Sequence, residues 1–117
     1  MVSDSPDPHD LPDLPELPVS QPVGRPHTFQ HMIEAIYFER DRQRGIEGTL
    51  LWFVEEVGEL VRAIRRRERD NLEEEFADVF AWLATLASLH GIDLRAIAEE
   101  KYADGCPRCH LTPCSCH

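Results

Sequence analysis

The stretch Leu50-Leu51-Trp52-Phe53-Val54-Glu55-Glu56-Val57-Gly58-Glu59-Leu60-Val61-Arg62-Ala63-Ile64 decides the fold. Leu50, Phe53, Val54, Val57, Leu60, Val61 and Ile64 recur three and four positions apart, so a helix gathers them into one apolar stripe. Arg65, Arg66, Arg67 and Arg69 follow, with the sign of charge that a helix C-terminus favours. A helix from about Thr49 to Arg69 is expected. On its N-terminal side Gly45 and Gly48 bracket a short turn. Before that turn, a first helix can be capped by Thr28, and Phe29, Ile33, Ile36 and Tyr37 keep helical spacing. On its C-terminal side, Asp70 or Asn71 can cap a third helix with Glu73, Glu74 and Glu75 in its first turns. Leu72, Phe76, Val79, Leu83 and Leu86 form the stripe of that helix, and Gly91 ends it. A shorter fourth helix is expected from Asp93 to about Tyr102. No segment alternates with period two and no hairpin turn signal appears. The expected class is all-α, a bundle of four helices.

Around this bundle the chain divides into three unequal parts: an arm (1–26), the helical domain (27–105) and a Cys-rich tail (106–117). With 117 residues there is room for one domain at most, and so thin a bundle is expected to complete its core by homo-oligomerising. The arm holds seven of the nine prolines and is expected to be disordered. Its centre, Leu11-Pro12-Asp13-Leu14-Pro15-Glu16-Leu17-Pro18, has the three-residue period of polyproline II, either a docking peptide or a solvated acidic tail. Lys plus Arg number 12 against 22 Asp plus Glu, a net charge of −10. Such a chain lacks the basic face that a nucleic-acid backbone requires, but it can meet a small polyanion if a divalent cation stands between them. No apolar run approaches the roughly 20 residues of a membrane span. The acidic N-terminus has no signal-peptide pattern, and the cytoplasm is the expected compartment. There, four clustered cysteines read as metal or redox chemistry before disulfides.

The acids on the second and third helices carry the chemistry. At about 100° per residue, Glu56 and Glu59 project together beside Trp52, away from the apolar stripe, and Glu55 stands one turn before Glu59. On the third helix Glu75 and Asp78 are likewise three apart, close to Trp82 and Leu86. Two helices therefore each offer a carboxylate pair among apolar residues, without Lys or Arg beside them. Like charges so placed repel, and a hard divalent cation offsets the repulsion because Mg²⁺ and Mn²⁺ prefer carboxylate oxygens. A di-iron carboxylate bundle would use Glu-x-x-His on two helices, and none of the six histidines follows a Glu at that spacing.

Glu55-Glu56-Val57-Gly58-Glu59-Leu60 followed by Glu75-Phe76-Ala77-Asp78 resembles the E-E-x-x-E … E-x-x-D signature of the MazG-like all-α nucleotide pyrophosphohydrolases, here with a Cys-rich tail appended. The resemblance covers roughly residues 28–103. It implies a helical bundle that forms a homodimer or homotetramer. It also implies Mg²⁺-dependent hydrolysis of a ribo- or deoxyribonucleoside triphosphate to the monophosphate and pyrophosphate. By position, Glu56, Glu59, Glu75 and Asp78 would be the metal ligands, and Glu55 either a further ligand or the group orienting the attacking water. Lys101 resembles the basic residue that such enzymes place near the phosphates.

Further substrate contacts are expected from Trp52, as a stacking surface for the base, and from Gln30, early in the first helix, as a reader of a base edge. Phe29, Trp82 and Tyr102 are other stacking candidates, and Arg65, Arg66 and Arg67 could reach phosphates across a subunit boundary. In the tail, Cys106, Cys109, Cys114 and Cys116 suit one tetrahedral Zn²⁺ with S₄ or S₃N ligation, a structural role, with a redox sensor as the alternative. A different class of function also fits: a bundle that binds nucleotides without hydrolysing them, or an interaction module recruiting partners through its zinc tail and Leu-Pro arm.

Overall fold

A computed structural model of the chain describes residues 21–117; the Leu-Pro arm at 11–18 lies outside them. The described residues form three helices and no strand: α1 (Phe29–Arg66), α2 (Arg69–Leu89) and α3 (Leu94–Tyr102). The first two expected helices are one bent element. Gly45 alone leaves helical geometry, at φ 84 and ψ 176, and the helix resumes at once, so Gly48 is helical rather than part of a turn. Those angles lie in a region that is essentially glycine's alone.

Local chemistry sets the ends. Thr28 caps α1 by accepting from the His31 N–H at 3.2 Å. At the other end, Arg67 adopts a left-handed conformation, and the Glu68 N–H reaches back to the Ala63 carbonyl at 3.1 Å. Arg67 and Glu68 are the whole connection to α2, which folds back along the second arm of α1. Glu68, rather than Asp70 or Asn71, stands at the N-cap of α2 and makes no side-chain cap bond. Asp70 lies in the first turn, where its charge suits the helix dipole. Asp93 caps α3 through the Ala96 N–H at 3.0 Å.

The packing departs from the expected stripes. The buried apolar residues are Ile33, Phe38, Ala63, Ala84, Ala87 and Leu89, joined by buried Gln30, Glu34, Asp41, Thr49, Glu75, Thr85 and Ser88. The first arm of α1 meets α2 largely through polar pairs. Ser88 donates to Glu34 at 2.6 Å, and Thr85 donates to Asp41 at 3.0 Å. Glu34 also accepts from the N–H groups of Val23 and Gly24, which ties the segment before α1 to the helices. By contrast, Leu50, Val54, Val61 and Ile64 on α1, and Phe76 and Leu83 on α2, are exposed. Among the described residues the second arm of α1 packs against α2, which leaves the rest of its apolar surface open. No helix among the described residues is long and apolar enough to cross a membrane.

Candidate active site

The fold-back after Arg66 brings three acids together. Glu56 on α1 and Glu75 and Asp78 on α2 each offer a carboxylate oxygen, all within 4.8 Å of one another. Glu75 is buried, and its Oε2 has no hydrogen-bond partner among the described residues. Burial raises its proton affinity above the usual carboxylate value, and the charges of Asp78 and Glu59 add to the effect. Glu56 is raised too, first by burial and then by the charges of Asp78 and Glu75. Such a cluster gathers three carboxylates at one point. A hard divalent cation is the partner this donor set fits, since it accepts several carboxylate oxygens at once.

Glu59 stands at the edge of this group. It lies outside the three-acid cluster, and its carboxylate is paired with Arg62 at 2.9 Å, three residues on. The expectation that these acids have no basic neighbour therefore fails for Glu59, although its charge still raises the proton affinity of both Glu56 and Glu75. Glu55 is exposed, outside both the cluster and the adjoining cleft.

That cleft, of about 450 Å³, opens beside the acids; Glu56 and Asp78 form part of its wall. Trp52 and Trp82 line it with their rings nearly parallel, 7° apart in plane and 6.1 Å between centroids. Arg40 and Arg44 line it as well. Arg44 is held by Asp41 at 2.9 Å, and its guanidinium lies over the Trp82 ring at 4.8 Å. Acids for a cation, guanidinium groups for anionic oxygens and flat aromatic faces therefore share one concavity. The sequence reading missed Arg40 and Arg44. Their signal was a basic pair four apart on the face that carries Tyr37 and Ile33.

The other expected substrate contacts lie elsewhere. Gln30 is buried, and both its amide protons are donated within the fold, to Ser88 at 2.9 Å and to the Ile92 carbonyl at 2.8 Å. Its carbonyl accepts from the Leu94 N–H at 2.8 Å. Gln30 therefore locks α1 to the end of α2 and the start of α3 and has no N–H left for a base edge. Lys101 is exposed on α3, 5.9 Å from the Tyr102 ring, outside the cleft lining. Phe29 stacks on Phe80 at 4.6 Å, a packing contact. Arg65 and Arg66 line a separate depression with Gly58, Val61 and Arg62. In the tail, the sulfurs of Cys106, Cys109, Cys114 and Cys116 converge to within 4.8 Å of one another. Cys109 is lowered to about 6, chiefly by the Ser115 N–H.

Fold and site together define an all-helical protein with a carboxylate cluster suited to a hard cation at the mouth of an arginine- and tryptophan-lined cleft. No match to this chain was found among curated proteins. The family model of the MazG nucleotide pyrophosphohydrolase domain matches residues 44–110, more than half of the chain and both halves of the acidic motif. The chain belongs to that family, whose activity is nucleotide pyrophosphohydrolysis.

Proposed function

We propose that the protein is a divalent-metal-dependent nucleoside triphosphate pyrophosphohydrolase, releasing a nucleoside monophosphate and pyrophosphate by attack of water on phosphorus. The observation that carries this reading is the unpartnered Oε2 of buried Glu75 inside the three-acid cluster, opening on the cleft. Glu56, Glu75 and Asp78, with Glu59 from the rim, would hold Mg²⁺ or Mn²⁺. When bound, such a cation supplies neutralisation of phosphate charge and activation of water near neutral pH.

The chain's own groups do the rest. Glu55 is exposed and outside the cleft of its own chain, and the role given to it, a further ligand or the group orienting the attacking water, rests on its place in the family's acidic motif. Arg40 and Arg44 offset the charge of the phosphate oxygens, and the Asp41 carboxylate and Trp82 ring hold Arg44 in place. Trp52 offers a flat surface to the base. Lys101 lies outside the cleft of its own chain, and a role for it near the phosphates rests on the family resemblance.

The reading includes assembly into a homodimer or homotetramer, which the exposed apolar side chains of α1 and α2 support. Replacing Glu56 or Glu75 with Gln removes the charge and keeps the shape. Each change should cost more than about 10²-fold in turnover with the helical content unchanged, and Glu55→Gln about 10²-fold, the scale of one positioned acid–base group. Near-wild-type turnover in Glu75→Gln would overturn the assignment.

A further inference from the structure

We infer that Cys106, Cys109, Cys114 and Cys116 bind one structural Zn²⁺ as a tetrathiolate site, separate from the acid cluster. With Zn–S bonds of about 2.3 Å, a tetrahedron has S···S edges of about 3.8 Å. The Cys106–Cys116 and Cys109–Cys114 sulfurs lie 3.7 and 4.0 Å apart, and all four are free thiols. Backbone N–H groups point at three of them: Arg108 at Cys106 (3.4 Å), Ser115 at Cys109 (3.5 Å) and Cys116 at Cys114 (3.2 Å). Donors so placed offset the charge of metal-bound thiolates.

No residue from Ala103 to His117 is buried, so among the described residues no apolar core holds this segment in shape. Two backbone bonds close its turn, His110 N–H to the Cys106 carbonyl at 2.7 Å and Cys106 N–H to the Leu111 carbonyl at 3.0 Å. Exposed bonds of that kind contribute little in water. A metal cross-link among four convergent sulfurs supplies what burial does not, as in small metal-folded modules. Four sulfurs already complete the tetrahedron, so neither His110 nor His117 is needed as a ligand. The sequence alone left S₄ and S₃N open; the convergence of all four sulfurs selects S₄.

The test is metal analysis of the full chain expressed with zinc in the medium. One zinc per chain is expected in the parent protein and in His110→Ala, His117→Ala and Glu75→Gln, with loss of the zinc in Cys109→Ser and Cys116→Ser. Should a cysteine variant fail to fold, Co²⁺ titrated into metal-free parent protein gives the same answer. The sulfur-to-cobalt charge-transfer band and intense visible absorption of a tetrahedral thiolate site are then expected. Absence of zinc together with absence of that spectrum overturns the inference. Loss of zinc in a histidine variant overturns the tetrathiolate assignment, and loss in Glu75→Gln puts the metal in the acid cluster instead.

Discussion

Glu75 is the residue at which stability and chemistry pull apart. Its carboxylate is buried beside Glu56 and Asp78, so the folded chain binds its proton more tightly than the unfolded chain does. The sign follows from linkage. With a raised value in the fold, the native state holds more protons, and stability is lost as pH rises from the usual 4.5 through the raised value. In chelator, Glu75→Gln should therefore melt above the parent protein. Its advantage should widen as pH rises above the usual 4.5 and shrink when Mg²⁺ is added. Thermal melts of the two proteins across that range check this, and an advantage that narrows as pH rises contradicts it. Glu75 and Asp78 were legible as a pair because three-residue spacing on a helix puts them on one side, whereas the same spacing joined Glu56 to Glu59, which stands outside the cluster. Glu34 and Asp41 were not legible. Their partners Ser88 and Thr85 lie 54 and 44 residues away, and an acid on a helix reads as solvated until tertiary packing supplies its donor.

At the scale of elements, Gly45 sets the bend of α1, and Arg44, which lines the cleft, is its immediate neighbour. A side chain at φ 84 and ψ 176 is strained, so Gly45→Ala should cost about 1–3 kcal/mol of stability. It should also raise KM for the triphosphate more than it lowers kcat, because Arg44 moves while the acids on α2 stay. Chemical denaturation and steady-state kinetics check the two parts, and an unchanged stability contradicts the first. Periodicity located the helical segments, and the local side-chain cap at Thr28 was readable. The joint at Gly45 read as a boundary between two helices. One residue out of helical geometry breaks the pattern as visibly as a loop, and only the backbone shows that the helix continues.

At the scale of the whole molecule, the large apolar residues lie mostly outside the core that one chain builds. Leu51 is 74% and Val54 65% exposed, whereas the buried set leans on alanines and hydrogen-bonded polar groups. The stripe read from the sequence is real as a pattern but is largely exposed in one chain, and the proposed homo-oligomer is what would bury it. Light scattering coupled to size exclusion should show a homodimer or homotetramer, and Val54→Glu should shift it toward smaller species. A monomeric parent protein at micromolar concentration contradicts this. The most direct test of the central claim is pyrophosphate release from a panel of ribo- and deoxyribonucleoside triphosphates, with Mg²⁺ or Mn²⁺ and with EDTA. Release of equal amounts of pyrophosphate and monophosphate, only with metal and not from Glu75→Gln, is the predicted result. No release from any triphosphate by folded, metal-replete protein would contradict the account.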